Sequence, residues 1–185
     1  MLHFFSDLLF EIIKPIAIKV LQNGNYPQDA IDRKCGIIKE DGFTKDEHVI
    51  MIHGVSVGET NALENLVKRV RKEFPESKLV YTTGTWTGQE LAKKKLGDST
   101  DLITYFPADF PKIIKRFFDK INPNVVMIAE TEIWPFFAME CKKRGIKLYI
   151  INGRISDDSY PAYLKIKKFF KPVLSCFEGI YCQSE

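Results

Sequence analysis

The sequence lacks the features that mark several classes of protein. No uninterrupted hydrophobic run reaches the roughly 20 residues that a membrane-spanning helix needs. The 27 lysines and arginines nearly balance the 24 aspartates and glutamates, so the net charge is only +3. Because no basic motif interleaved with aromatic residues is present either, the composition does not favour nucleic-acid binding. A hydrophobic fraction of 45% in 185 residues predicts one folded domain rather than disorder.

Cysteine and histidine are few and scattered. The four cysteines include no C-x-x-C pair, and the three histidines form no cluster with them at metal-ligand spacing. We therefore expect no zinc site and no disulfide framework, but buried, reduced thiols in a cytosolic protein. A dinucleotide-binding G-x-G-x-x-G motif is also missing, since residues 54–58 have the sequence G-V-S-V-G.

The amino-terminal segment needs separate treatment. Residues 1–22 are rich in Phe, Leu and Ile, but charged residues such as Asp7 and Glu11 interrupt them, and Pro15 lies in the middle. This pattern predicts an amphipathic helix that either lies on a membrane surface or packs against its own domain. Residues 23–47 contain Gly, Pro and Asp, which predicts a linker between this helix and the domain that follows.

From residue 48 onward, short apolar runs alternate with helical patterns. The predicted strands are 48–53, 78–83, 101–105, 124–129, 147–151 and 179–182, and the predicted helices are 59–74, 109–120, 133–144 and 163–177. Strands that are apolar without alternation are typical of a parallel sheet covered on both faces. The pattern predicts an α/β, Rossmann-like three-layer domain with a mainly parallel sheet over residues 48–185.

Polar residues directly follow several of the predicted strands. Glu59 comes after the first strand, Glu130 and Glu132 come after the fourth, and Arg154 comes after the fifth. The carboxyl ends of parallel strands meet at one edge of a sheet, where α/β proteins bind their ligands. The sequence therefore predicts one site at this edge.

Each of these residues also has a purely structural interpretation. Ser56-x-x-Glu59 is a capping box, so Glu59 either stabilises a helix or acts as a general base next to two glycines. Glu130 could form a salt bridge or a helix cap, and Glu132 could complement the dipole in the first turn of the helix that Trp134-Pro135 begins. Thr87-x-x-Glu90 is a second capping box, and Arg154 either binds phosphate or carboxylate or ties its loop to an acidic neighbour.

Motifs at this predicted edge resemble those of one known family. They are H-G-V-S-V-G-E-T at 53–60, Thr82-Thr83 with Thr87-Gly88, Y-F-P-A-D-F-P at 105–111, E-T-E-I-W-P at 130–135, N-G-R-I-S at 152–156 and Q-S-E at 183–185. In this order they are similar to signatures of the bacterial 3-deoxy-D-manno-octulosonic acid (Kdo) transferases, including H-x-V-S-V-G-E and E-T-E-L-W-P. The resemblance covers essentially residues 48–185, and the predicted amino-terminal helix loosely.

The resemblance implies a two-domain GT-B glycosyltransferase, of which residues 48–185 are the amino-terminal, acceptor-binding half. It implies transfer of Kdo from CMP-Kdo to a hydroxyl of the phosphorylated lipid A precursor in lipopolysaccharide biosynthesis, without a metal or cofactor. The expected location is the cytoplasmic face of the bacterial inner membrane, with peripheral membrane contact. By the resemblance, Glu59 is the general base and Glu130 stabilises an oxocarbenium-like transition state. The implied substrate-binding residues are Ser56, Gly58, Thr83, Thr87, Glu132 and Arg154.

The sequence departs from the family pattern at several points. Trp86 stands where the family has proline, Phe136 stands where asparagine is usual, and residues 32–42 lack a W-G-E-R segment. The donor-binding, carboxyl-terminal domain is absent from the chain, so we expect the isolated chain to be inactive. Two other functions stay open at this point: a non-catalytic lipid-binding module, and an unrelated small-molecule enzyme on the same fold.

Overall fold

The structure is a computed structural model that describes residues 26–130, 132–155 and 167–183, together with the single residues 19 and 164. The helix predicted over residues 1–22 lies outside the described residues, apart from Lys19. Among the helices in the described ranges, none combines the length and the apolar character needed to cross a bilayer.

Helices and strands alternate along the described chain as the sequence predicts, but two of the helices, Gln28–Lys34 and Trp86–Leu96, were not among the predicted ones. The helices are α1 (Gln28–Lys34), α2 (Val57–Glu73), α3 (Trp86–Leu96), α4 (Pro111–Ile121), α5 (Pro135–Arg144) and α6 (Lys167–Leu174). The strands are β1 (Val49–His53), β2 (Lys78–Thr83), β3 (Leu102–Tyr105), β4 (Val125–Ala129), β5 (Lys147–Gly153) and β6 (Gly179–Cys182). A short 3₁₀ turn, Gly97–Ser99, follows α3.

All six strands run parallel in one sheet, in the order β3-β2-β1-β4-β5-β6. β1 and β4 lie side by side in the middle, where Ile52 pairs with Met127 on one side and with Tyr81 of β2 on the other. β1 is buried along its whole length, as expected for a strand covered on both faces. The predicted α/β, Rossmann-like domain with a parallel sheet is confirmed.

Hydrophobic side chains form one core on each face of the sheet. Met51 of β1 packs in the core that contains Phe117 of α4 and Phe137 of α5. Its neighbour Ile52 belongs to the core on the other face, which contains Leu63 of α2. Successive residues of a strand point to opposite faces, so both faces of β1 are buried beneath helices and the domain has three layers.

The segment predicted as a linker is part of the packed domain. α1 lies within it and contacts β3, and Ala30 and Ile31 are each only 1% exposed. Further along, Ile38 is buried in the same core as Phe117, and the backbone N–H of Phe43 donates to the α4 carbonyl of Lys120 at 3.0 Å. The described part of residues 23–47 therefore is not an open connection, and its order comes from contacts with β3 and α4.

The helix that follows β2 begins earlier than the predicted capping box indicates. Its N-cap is Thr85, whose Oγ1 accepts a hydrogen bond from the Gly88 N–H at 3.1 Å. Thr87 instead lies in the first turn and is exposed. The same Thr85 hydroxyl donates to the Val55 carbonyl at 3.2 Å, so it connects the loop after β2 to the loop after β1.

Candidate functional site

The loops that follow the strands converge at one edge of the sheet. We call this edge, formed by residues 53–59, 83–88, 129–130, 132–134 and 152–154, the carboxyl edge. The loops after β1 and β4 lie next to each other at its centre, because His53 at the end of β1 pairs with Ile128 near the end of β4. The loop after β2 lies on one side of this pair, and the loop after β5 lies on the other.

Glu59 lies in the first turn of α2 and is half-buried. One carboxylate oxygen, Oε2, accepts a hydrogen bond from the Val55 N–H at 2.7 Å, and Oε1 accepts from the Ser56 hydroxyl at 3.0 Å. The Ser56 Oγ in turn accepts from the Glu59 N–H at 3.4 Å. The N-cap half of the predicted capping box is therefore formed, while the Glu59 carboxylate accepts from the Val55 N–H instead of the Ser56 N–H. Since each carboxylate oxygen has a second acceptor site, Glu59 can still accept a hydrogen bond from a bound hydroxyl.

Glu130 ends β4 in an unusual backbone conformation. Its φ of 58° is in the left-handed region, and its N–H donates to the Ile151 carbonyl at 2.9 Å. Asn152, at the end of the neighbouring strand, has a φ of 56°. Such a conformation costs a non-glycine residue roughly 1–2 kcal/mol, and strain of this kind occurs often at functional sites. The Glu130 side chain is exposed.

Glu132 shows that the acidic groups lie close together. Burial raises the pKa of its carboxyl, and the negative charges of Glu59 and Glu130 raise it further, while Trp134 partly opposes the rise. Glu59 and Glu130 therefore both lie within electrostatic range of Glu132. The structure therefore brings together the three acidic residues that the sequence placed at this edge.

Two glycines after β1 have different surroundings. A Cβ on Gly54 would lie 2.4 Å from the Tyr81 hydroxyl and 2.9 Å from a Leu63 methyl group, so Gly54 is required by packing. A Cβ on Gly58 would meet only the Ser56 Oγ, at 3.7 Å. Gly58 is exposed, and the protein leaves open space in front of it at the start of α2.

The other predicted substrate-binding residues occupy several positions. Thr83 is fully buried, and its hydroxyl donates to Gln89 Oε1 at 2.6 Å, so the structure places it behind the carboxyl edge rather than on its surface. Ser56 is half-buried beside Glu59. Thr87, in the first turn of α3, and Arg154, directly after β5, are exposed. The acidic partner considered for Arg154, Asp157, lies outside the described residues.

Two further polar residues at this edge were not predicted as site residues. His53 is 1% exposed, with Nδ1 at 3.0 Å from Thr82 Oγ1 and its ring stacked at 4.1 Å on Phe106. Its burial, aided by the charge of Lys34, lowers its pKa from 6.5 to about 3. His53 ends the apolar run of β1, so its position at the carboxyl end of a strand was a usable signal. Lys34 comes before the first strand, where the sequence carried no such signal.

The thiols and the acidic groups do not form a metal site in the described residues. No group of three or more His, Cys, Asp or Glu side chains in the described ranges is arranged to hold a metal ion. All four cysteines are free; Cys141 and Cys176 are buried, and Cys35 is half-buried. Cys182 is exposed at the end of β6, which differs from the expectation of buried thiols because β6 is an edge strand.

Comparison with known protein families supports the motifs at the carboxyl edge. A family model described as 3-deoxy-D-manno-octulosonic-acid transferase (kdotransferase) matches residues 29–185. The chain belongs to this family. The match to the Kdo transferase family begins within α1, so it includes most of the segment that the sequence predicted as a linker.

Several curated proteins are similar to this member of the Kdo transferase family. A bifunctional glycosyltransferase/methyltransferase of Fusobacterium nucleatum is 39% identical over 76% of this chain and 22% of its own length. The 3-deoxy-D-manno-octulosonic acid transferase of Haemophilus influenzae is 36% identical over 72% of this chain and 31% of its own length. The transferase of the same name from Chlamydia trachomatis is 31% identical over 92% of this chain and 39% of its own length. The chain thus spans well under half the length of these relatives.

A solved structure agrees with the fold. The crystal structure of a UDP-N-acetylglucosamine 2-epimerase matches with a TM-score of 0.50 at 12% identity, over 76% of this chain and 41% of the other. At this level of identity the similarity supports the Rossmann-like architecture only.

Proposed function

We propose that the protein containing this chain transfers Kdo from CMP-Kdo to a hydroxyl of a phosphorylated lipid A precursor. In this proposal the chain is the acceptor-binding part that carries the general base. A second domain, which would correspond to the remaining length of the curated relatives, binds CMP-Kdo. The proposal rests on family membership together with one observation, the gathering of Glu59, Glu130 and Glu132 at the open carboxyl edge.

Glu59 is suited to remove a proton from the acceptor hydroxyl. Two hydrogen bonds, from the Val55 N–H and the Ser56 hydroxyl, fix its carboxylate at the start of α2. As the acceptor oxygen forms its bond to the anomeric carbon of Kdo, the bond from that carbon to CMP breaks and CMP leaves. The proton of the hydroxyl passes to Glu59, which acts as general base.

Glu130 is suited to stabilise positive charge on the sugar. A transition state with oxocarbenium character carries positive charge near the anomeric carbon, and a nearby carboxylate lowers its energy. Glu130 is exposed and follows β4, the strand next to the one that leads to Glu59. Its φ of 58° departs from the extended backbone of the preceding strand.

We propose further that the reaction needs no metal ion or cofactor and takes place at the cytoplasmic face of the inner membrane. The acceptor is a lipid, so the protein must contact the membrane surface when it binds this substrate. Peripheral attachment is sufficient for this, because an amphipathic segment such as residues 1–22 can lie in the interface. Transfer in the presence of a metal chelator tests the first part of the proposal.

The open space at Gly58 gives a test of where the acceptor binds. In the complete protein, we expect Gly58→Ala to lower kcat/KM for the acceptor about 10- to 100-fold, since a displacement of about 1 Å can reduce rates to this extent. The fold should tolerate the change, because alanine is favoured over glycine within a helix by up to about 1 kcal/mol and the new Cβ meets no backbone.

Gly97→Ala is the matched control for this substitution. A Cβ at Gly97 would meet nothing within 4 Å, and Gly97 follows α3 in helical conformation. We expect this variant to have the wild-type kcat/KM and an equal or higher unfolding temperature. If both variants had wild-type kcat/KM, the acceptor would not bind at the start of α2.

A further inference from the structure

Lys34 is held at the carboxyl edge although it belongs to a helix that precedes the sheet. It is the last residue of α1, and its ammonium group donates a hydrogen bond to the Gly84 carbonyl, directly after β2, at 2.8 Å. The Nζ atom lies 5.1 Å from the ring centre of Tyr105 and 5.7 Å from that of Tyr26. Its charge also acts on His53 at the end of β1, which places it near the central strands.

The ammonium group has no acidic partner within the part of the chain that the structure describes. None of the ion pairs in these residues includes Lys34, whereas its neighbour Arg33 contacts both Asp29 and Glu40. Burial lowers the pKa of Lys34, and no carboxylate opposes this effect. A partly buried cation without a counter-ion is unfavourable, and two aromatic rings compensate for it only in part.

Hydrogen-bond donors are available at this position. An ammonium group has three N–H donors, and one hydrogen bond of Lys34, to Gly84, is found among the described residues. The Tyr105 ring that the ammonium group contacts belongs to a side chain that is 2% exposed, and the Tyr105 hydroxyl has no hydrogen-bond partner among the described residues. A negatively charged oxygen would satisfy the charge of Lys34 and its remaining donors.

The distribution of charge along the edge determines where an anionic group can bind. Glu59, Glu130 and Glu132 occupy the centre, after β1 and β4, and would repel a phosphate placed beside them. Lys34 lies on the β2 side of this cluster, and Arg154 lies beyond it, after β5. A substrate that presents a hydroxyl to Glu59 can therefore keep its anionic groups at the sides of the edge.

We propose that Lys34 binds a phosphate group of the acceptor at the β2 side of the carboxyl edge. This inference rests on the proposed function, since it assigns a phosphorylated acceptor to the same edge. A competing, structural role for Lys34 is to hold the loop after β2. The Gly84 N–H donates to the Val55 carbonyl at 3.0 Å, and the Val55 N–H donates to Glu59, so that role would affect every substrate equally.

The test is calorimetric binding of the phosphorylated lipid A precursor and of its dephosphorylated form to the complete protein, in detergent micelles. We expect Lys34→Met to weaken binding of the phosphorylated form about 10- to 100-fold, the usual range for a hydrogen bond to a charged group. Binding of the dephosphorylated form should change less than about twofold, and Lys34→Arg should retain part of the preference.

Lys93→Met is the matched control. Lys93 also lies over an aromatic ring, that of Trp86 at 5.9 Å, but it has an acidic partner in Glu90 and belongs to the exposed face of α3. We expect it to keep the wild-type preference for phosphate. Removing its charge tests whether any nearby lysine has the same effect.

Three results would overturn the inference. They are a wild type that binds both forms equally, a Lys34→Met variant that keeps the wild-type preference, and equal weakening of both forms, which would indicate the structural role. The proposed function is tested separately by transfer of Kdo from CMP-Kdo. A wild type with the phosphate preference but no transfer would contradict the proposed function and leave the role of Lys34 intact.

Discussion

Replacement of Glu59 by glutamine should lower kcat of the complete enzyme about 10²- to 10⁴-fold, the range over which general bases contribute to catalysis. The amide has nearly the shape of the carboxylate, and its oxygen can still accept the hydrogen bond from the Val55 N–H. It cannot take a proton from the acceptor hydroxyl. The KM for the acceptor should therefore change far less than kcat, and steady-state kinetics with both substrates measures the two separately.

A control is needed because Glu59 also caps α2, so that its replacement affects stability. Asn124→Ala removes a side-chain oxygen that accepts from the Val49 N–H at 2.7 Å, at the opposite end of β1. It should reduce the free energy of unfolding by about 1–2 kcal/mol, as expected for a lost hydrogen bond, with kcat unchanged. If Glu59→Gln lowered kcat no more than Asn124→Ala does, Glu59 would be a helix cap only.

The largest expected effect of pH on stability comes from His53. Burial in the core beside Phe106 lowers its pKa from 6.5 to about 3, so the folded protein keeps this imidazole neutral while the unfolded chain protonates it below pH 6.5. Its contribution to stability is therefore complete above pH 6.5 and is lost as the pH falls toward 3. Each pH unit within this window changes the free energy of unfolding by about 1.4 kcal/mol.

Urea unfolding at pH 7 and pH 5 measures this effect. We expect His53 to account for a decrease of about 2 kcal/mol between these two pH values. His53→Asn keeps a side-chain donor for the Thr82 carbonyl, which lies 3.1 Å from Nδ1 in the wild type. Because asparagine cannot be protonated in this pH range, the free energy of unfolding of the variant should depend less on pH. NMR signals of the His53 ring should stay those of a neutral imidazole at pH 5. The same pH dependence in variant and wild type would contradict the assignment.

The strands and the acidic residues of the site could be predicted because they depend on local sequence. Buried parallel strands are apolar along their whole length, and all six were predicted within two residues of their observed ends. Glu59, Glu130 and Glu132 follow such strands directly, so their convergence follows from the parallel sheet. What could not be predicted was the strained backbone of Glu130, because it depends on the bond from its N–H to the neighbouring strand.

The remaining features depend on contacts between distant parts of the chain. α1 has only 7 residues, and its two buried apolar residues give no clear helical period, so its order depends on the domain that it packs against. Thr83 was expected to face the substrate, but its hydroxyl donates a hydrogen bond to Gln89 of α3 inside the protein. Lys34 is brought to the edge by the carbonyl of Gly84, 50 positions later in the chain.

The position of α1 has a practical consequence for domain exchange. A hybrid enzyme joined at the start of β1 would replace Lys34 along with the amino-terminal region, although this residue contacts the loop after β2. It would also replace the buried side chains Ile31 and Ile38, of which Ile38 packs in the core with Phe117 of α4. Joining such hybrids before Tyr26 keeps the described α1 with the sheet whose loop it supports.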